Sequence, residues 1–266
     1  MTLPTLFIPH GAGPCFFMAW TRGPADTWDK TAAWLKGLVA GLPERPKAIL
    51  VISGHWEEQA FTVGSSPRPP MLFDYYGFPD ATYRLRFDAP GSPALAGRVR
   101  ELLSAAGLPT AEDAQRGYDH GVFVPLLLAT PQADIPVVQL SLRADLDPDA
   151  HLAAGRALAP LRDEGVLIVG SGMSWHNMRG FTPAFTARSQ AFDAWLADAM
   201  ADPARRDEAI RHWDRAPYAR EAHPREEHLA PLFVAAGAAE GEPGRLAFRD
   251  EAMDVAISGY EFGQAA

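Results

Sequence analysis

AILVISGH, residues 48–55, sets an unbroken apolar run ahead of a glycine and a histidine. Short, rich in β-branched side chains and opened just after Pro46, it reads as a buried strand. Leu6–Ile8 and Val166–Val169 are runs of the same kind, bounded by Pro or Gly, and Ile135–Leu140 is a fourth. Helix-like stretches lie between them: Trp28–Leu42, Pro93–Ala106 behind a candidate N-cap at Ser92, and Asp149–Asp163, which stops before Gly165. Strands that alternate with helices predict an α/β layered domain. The expected architecture is a single domain over residues 1–266, with a central, mostly parallel or mixed sheet flanked by helices and the active site at the strand carboxyl ends.

Farther along, Ser189–Met200 places Phe192, Trp195 and Leu196 at i, i+3 and i+4, the spacing of an amphipathic helix packed on that sheet. Gly64–Pro93 carries Pro67, Pro69, Pro70, Pro79 and Pro90 among Tyr75, Tyr76, Phe78 and Tyr83 and is too broken for a long element, so an ordered, aromatic-rich excursion is expected there.

With 266 residues, 47% of them apolar, the chain can bury a sizeable core, which excludes disordered and fibrous classes. Its 33 acidic and 24 basic side chains leave a formal charge of −9, and no Lys/Arg run neutralises a row of phosphates, so no nucleic-acid partner is expected. The single cysteine excludes an internal disulfide framework and any multi-cysteine zinc or iron–sulfur site, and it suits a reducing cytosol. A metal would need His and carboxylate ligands. MTLPTLFIPHGAG lacks the basic leader and cleavage site of a signal peptide, and no window approaches the roughly 20 apolar residues of a membrane span. A soluble, cytoplasmic protein with no membrane partner is the expectation.

The eight histidines are not scattered at random. His10 ends LFIPH, His55 ends ILVISGH, and His176 follows closely on a strand in VLIVGSGMSWH. Ligands of open α/β sheets collect beyond the carboxyl ends of strands, where loops diverge, so these three project toward one crevice. Gly11, Gly13, Gly54, Gly170 and Gly172 beside them allow tight turns and close backbone approach. One strand-end histidine is most simply bonded to a backbone carbonyl. Their joint occurrence suits a divalent metal held by two or three imidazoles, with or without a carboxylate.

His10 and His55 supply two ligands, and candidates for the third lie in HPREEHLAPLF, residues 223–233. His228 opens the helix-like run His228–Ala236, anchored by Leu229, Leu232 and Phe233. Glu227 is the carboxylate alternative, although Glu226 and Glu227 equally suit solvated charges at a helix N-terminus. His223, held extended before Pro224, His151, opening an exposed-looking helix, and His212, in a polar run, are assigned no chemistry. His120, between Asp119 and Gly121, suits a base or hydrogen-bond donor; Asp119 alternatively caps the segment that follows. Tyr75, Tyr76, Phe78 and Trp175 either wall an aromatic ligand or pack locally. Cys15 reads as a small buried hydrophobe.

Seven motifs follow one another along the chain: PHGAGPCFF, ISGHWEE, DYYGFP, GYDHGVFVPLLL, IPVVQLSL, GSGMSWHNMR and EEHLAPLF. From about Pro4 to Phe262 the ordered set resembles the class III extradiol ring-cleaving dioxygenases, in the 4,5-DOPA extradiol dioxygenase branch related to the protocatechuate 4,5-dioxygenase β subunit. The resemblance implies a metal site of His10, His55 and His228, an acid–base His176 that becomes a fourth ligand without substrate, and a second substrate-facing histidine, His120. It implies one divalent metal per chain, Fe(II) for activity and Zn(II) as another bound species, since zinc lacks a second oxidation state for dioxygen chemistry. The implied partners are a small aromatic diol of the catechol type and O2, both atoms of which enter the ring to give a semialdehyde. Many relatives complete the ligand set with Glu where this chain has His228, preceded by Glu227. Two other classes stand beside this reading: a zinc-dependent hydrolase with Glu57, Glu58 or Glu227 as base, and a non-enzymatic binding protein of this fold, against which the five motif histidines count.

Overall fold

Successive side chains of a strand point to opposite faces of its sheet, and the apolar runs use both faces. In the computed structural model, which describes residues 2–263, Ile49 and Val51 share one face with Leu6, Ile8, Leu167 and Val169, while Leu50 and Ile52 share the other with Phe7, Val166 and Ile168. The strands are β1 (Thr5–Pro9), β2 (Ala48–Glu58), β3 (Phe61–Gly64), β4 (Thr110–Asp113), β5 (Val137–Arg143), β6 (Val166–Gly172), β7 (Gly244–Ala252) and β8 (Val255–Phe262). They form one mixed eight-stranded sheet in the order β4-β3-β5-β2-β6-β1-β8-β7. Its centre, β5-β2-β6-β1, is parallel; β3 joins β5 and β8 joins β1 antiparallel. The carboxyl ends of β1, β2 and β6 therefore lie side by side, as the α/β pattern requires.

Helices cover both faces. They are α1 (Asp29–Gly37), α2 (Pro93–Ala105), α3 (His120–Ala129), α4 (Pro148–Leu158), α5 (Thr186–Ala201), α6 (Pro203–Arg211), α7 (Ala219–Ala222) and α8 (Ala230–Ala238). Side chains of α1 and α3 pack on the Ile49 face, and those of the other six on the Leu50 face. Ser92 caps α2 as expected, its hydroxyl accepting from Leu95 N at 3.2 Å. Three helices are shorter than the sequence suggests. α1 ends at Gly37, α4 tightens into a 3-10 turn at Ala159–Arg162, and α8 starts at Ala230 with Pro231 in its first turn. The Gly64–Pro93 excursion is ordered around a 3-10 turn at Asp80–Arg84, and Tyr75 Oη donates to the Thr82 carbonyl at 2.7 Å. Among the described residues no helix is long and apolar enough to cross a membrane.

His151 corrects the reading of its helix as exposed. It is fully buried, its Nδ1 donating to Asp147 O at 2.8 Å while its Nε2 accepts from Arg143 N at 3.2 Å. His223 is likewise buried, with Nε2 on the Ser174 carbonyl at 3.0 Å. Burial holds both imidazoles below their ordinary pKa, His223 down to about 3. A neutral buried histidine leaves the unfolded chain to bind the extra proton, so stability present above about pH 6.5 falls as pH drops toward 3. His223 contributes a slope of about 1.4 kcal/mol per pH unit in that window. His223→Gln is expected to lower the pH dependence of urea-unfolding free energy between pH 6 and 4 by about one proton's worth; an unchanged slope would show that His223 titrates alike in both states.

Candidate metal and active site

Three strand ends, the turn before α8 and the first residue of α3 deliver the histidines. β1 stops at Pro9, and His10 N donates to Gly172 O at 3.1 Å, locking the end of β1 to the end of β6. Gly11 then turns the chain away with φ +84°, where a side chain would be strained. The register of β2 against β5 slips between Ile52 and Glu57, a bulge that aims His55 at the crevice. Ser53 Oγ accepts from His55 N at 3.2 Å, and Arg116 Nη2 donates to the His55 carbonyl at 3.1 Å. His228 lies in the turn ahead of α8, and its carbonyl accepts from Met173 N at 3.0 Å. That approach needs Gly172. A Cβ there would fall closer than 3.0 Å to the His228 carbonyl oxygen. Gly172→Ala is accordingly expected to cost about 1–3 kcal/mol of overpacking and to weaken metal retention; an unshifted denaturation midpoint would reject the close-approach argument.

Five imidazoles converge. His10 lies 4.9, 5.4 and 5.2 Å, centroid to centroid, from His55, His120 and His228, and His176 stacks on His228 at 3.3 Å. Donor atoms fall into two compact groups, His10–His55–His120 and His176–Glu227–His228, each within 4.8 Å. The expected set of His10, His55, His228 and His176 takes two residues from each group. The groups meet where His228 Nε2 faces His55 Nε2 at 3.2 Å.

Two carboxylates fix the tautomers. Glu227 Oε1 accepts from His176 Nδ1 at 3.1 Å and from His228 Nδ1 at 3.0 Å, and Asp74 Oδ1 accepts from His120 Nδ1 at 2.8 Å. The second Asp74 oxygen lies 3.7 Å from His55 Nδ1. Burial opposes ionisation of both acids, yet the hydrogen bonds from these histidines outweigh it and hold each carboxyl below its usual range. A carboxylate only accepts, so each bonded Nδ1 carries a proton, and in the neutral ring Nε2 is the nitrogen with the lone pair.

That assignment tests the site for a metal. The His228 Nε2 lone pair faces His55 Nε2 across the 3.2 Å gap, and both His10 ring nitrogens are buried without a hydrogen-bond partner among the described residues. Unpaired buried nitrogens are costly. A cation between them removes the cost, and about 3 Å is the spacing of two nitrogens that share one ion at roughly 2.1 Å. Burial, then repulsion among the neighbouring imidazoles, keeps His10, His55 and His228 well below the usual histidine range, His228 at about 3. They are neutral, as ligands must be. The donor set fits a divalent metal.

The histidines floor a cavity of about 400 Å³ walled by Trp20, Trp28, Tyr75, Phe78 and Phe181. Tyr75 and Phe78 thus stand where an aromatic ligand would meet them. Tyr76 and Trp175 do not: Tyr76 is 89% exposed, and Trp175 is buried in the core, 1% exposed. Neither lines the crevice. Cys15 is buried, accepting from Ala12 N at 3.3 Å through Sγ, and burial pushes its thiol pKa up. None of the candidate hydrolase bases is free. Glu57 is clasped by Arg225, Glu58 accepts from Trp56 Nε1 at 3.0 Å, and Glu227 is held by two imidazoles. Asp119 is buried against Ser53, Arg116 and Gln139, and its side chain accepts no capping bond from α3; it braces the β2 end. His212 pairs with Glu208 on the surface, outside the crevice.

The chain resembles proteins of matching chemistry. It is 42% identical over 221 residues to a 4,5-DOPA dioxygenase extradiol of Beta vulgaris, covering 82% of each chain. It is 36% identical over 276 residues to the dioxygenase tasH of Hapsidospora irregularis, covering 98% of this chain and 85% of that one. A crystal structure of an uncharacterized Escherichia coli K12 protein superposes with a TM-score of 0.75 at 30% identity, over 98% of this chain and 100% of the other. Residues 4–259 match the model of the catalytic LigB subunit of aromatic ring-opening dioxygenase. With a mixed α/β sheet that gathers five histidines at its strand ends, the chain belongs to the LigB family of extradiol dioxygenases.

Proposed function

We propose that residues 1–266 form one catalytic unit that opens catechol-type rings beside the diol, adding both atoms of O2 to give a semialdehyde, as the 4,5-DOPA dioxygenase names of its relatives suggest. One divalent metal per chain would be held by His10, His55 and His228, with His176 Nε2 a fourth donor while no diol is bound. The observation that carries the reading is the opposed His55 and His228 Nε2 pair, 3.2 Å apart, beside the unpartnered His10. Fe(II) there supplies coordination sites and an electron path from diol to dioxygen, which Zn(II), with one accessible oxidation state, does not.

The chain's own groups handle the protons. His176, tethered to Glu227 through Nδ1, offers its Nε2 lone pair to a diol hydroxyl, and Glu227 stabilises the imidazolium that results. His120, tethered to Asp74, is the second proton-carrying group. Tyr75, Phe78 and Trp28 flank a bound ring and exclude water. We assign the protein to the cytoplasm, where its lone cysteine stays reduced.

Anaerobic reconstitution with Fe(II), then addition of a catechol panel and oxygen, tests the reading. A yellow ring-opened product with iron and none with zinc is expected. Stoichiometric iron with no catechol consumed would overturn it; ester or amide turnover with zinc would favour a hydrolase, and no stoichiometric metal a binding protein.

A further inference from the structure

The cavity is larger than a bare diol needs. About 150 Å³ suffices for benzene, whereas about 400 Å³ is open above the histidines. The surplus leads outward to a lip of Arg22, Phe181 and Met253, and the same three residues line a second hollow of about 300 Å³. A ring seated at the histidine end therefore points any substituent toward that lip.

Among the described residues that line the inner cavity, Arg22 is the one Lys, Arg, Asp or Glu. Its guanidinium has no ion pair or hydrogen bond among the described residues, so its donors are available to a ligand. Its backbone is pinned. Trp20 Nε1 donates to the Arg22 carbonyl at 3.1 Å, and the buried Trp20 and Trp28 rings meet edge to face at 5.6 Å. The loop that carries the charge is thus anchored to the wall of the cavity itself. An arginine offers a planar fork of donors matched to a carboxylate.

The outer hollow also holds acids. Asp250 is paired with Lys30 at 3.2 Å and Glu251 accepts from Gln190 at 2.7 Å, which leaves Asp26 and Asp254 as rivals for a cationic tail. Neither lines the inner cavity, whereas Arg22 does. We propose that Arg22 is a specificity-determining residue that selects catechols whose ring substituent ends in a carboxylate. This rests on reading the site as one that binds and opens catechols.

The test uses the Fe(II)-loaded protein without oxygen and three probes of similar length: 3-(3,4-dihydroxyphenyl)propanoate, its methyl ester and 3,4-dihydroxyphenethylamine. Calorimetry is expected to show the acid binding about 10- to 100-fold more tightly than the ester, the range for a charge-assisted hydrogen-bonded pair. In Arg22→Gln that ratio should collapse toward one, and Arg22→Lys, which keeps the charge but loses the fork, should fall between. An acid-to-ester ratio unchanged by Arg22→Gln, or a wild-type preference for the amine, overturns the assignment. Oxygen is then admitted. If the ester is bound and opened while the ratio ignores Arg22, this inference fails alone; if no probe is bound or opened, the catechol reading fails and takes it along.

Discussion

His228→Ala is expected to lose its stoichiometric metal, and ring opening to fall below detection with it; His10→Ala and His55→Ala are expected to do the same. Each variant removes a neutral imidazole from the point where donor atoms crowd to 3.2 Å, and none removes much apolar area, so circular dichroism should report an intact fold. Glu227→Gln is the contrast. Its carboxylate bonds the Nδ1 atoms of His176 and His228, so replacing it loosens ring orientation without deleting a donor, an outer-sphere loss of about 10- to 100-fold in metal affinity. Metal analysis after dialysis separates the cases. Should Glu227→Gln shed the metal while His228→Ala keeps one ion per chain, the ligand would be the carboxylate.

His10, His55 and His176 were legible because each ends or closely follows a strand signal with glycines beside it, and a parallel sheet brings such ends together whatever the loop lengths. His228 was legible from its motif, though not its setting: Pro231 delays α8, leaving His228 in the preceding turn and free to face the crevice. Asp74 opens the motif DYYGFP, yet nothing local showed its role. It sits in a proline-broken excursion without periodicity, and its bond to His120 spans 46 positions. Trp20 and Arg22 were missed for the same reason, since their loop has no repeat to read, and Trp28 was read only as the start of a helix. Strands β3 and β4 are four residues each, too short for alternation to register, and β7 carries Arg245, Arg249, Asp250 and Glu251 at the sheet edge, where only one neighbour constrains its pattern.

His176→Ala should separate holding the metal from using it. The ring lines the cavity and stacks on His228, while its Nδ1 is committed to Glu227, so only Nε2 is left to meet a substrate proton. Its removal leaves His10, His55 and His228 in place. Iron content should therefore survive and kcat should fall by about 10²- to 10⁴-fold, the scale of one positioned proton-transfer group. Because the interaction matters as the proton moves, kcat and kcat/KM should fall together, with anaerobic catechol binding little changed. His120→Ala is the necessary partner measurement, since its Asp74-bound ring could serve the same proton from the other group. A His176→Ala protein that keeps its iron and turns over near the normal rate, beside a crippled His120→Ala, would move the base to His120. One that loses its iron would make His176 a ligand that the site cannot spare.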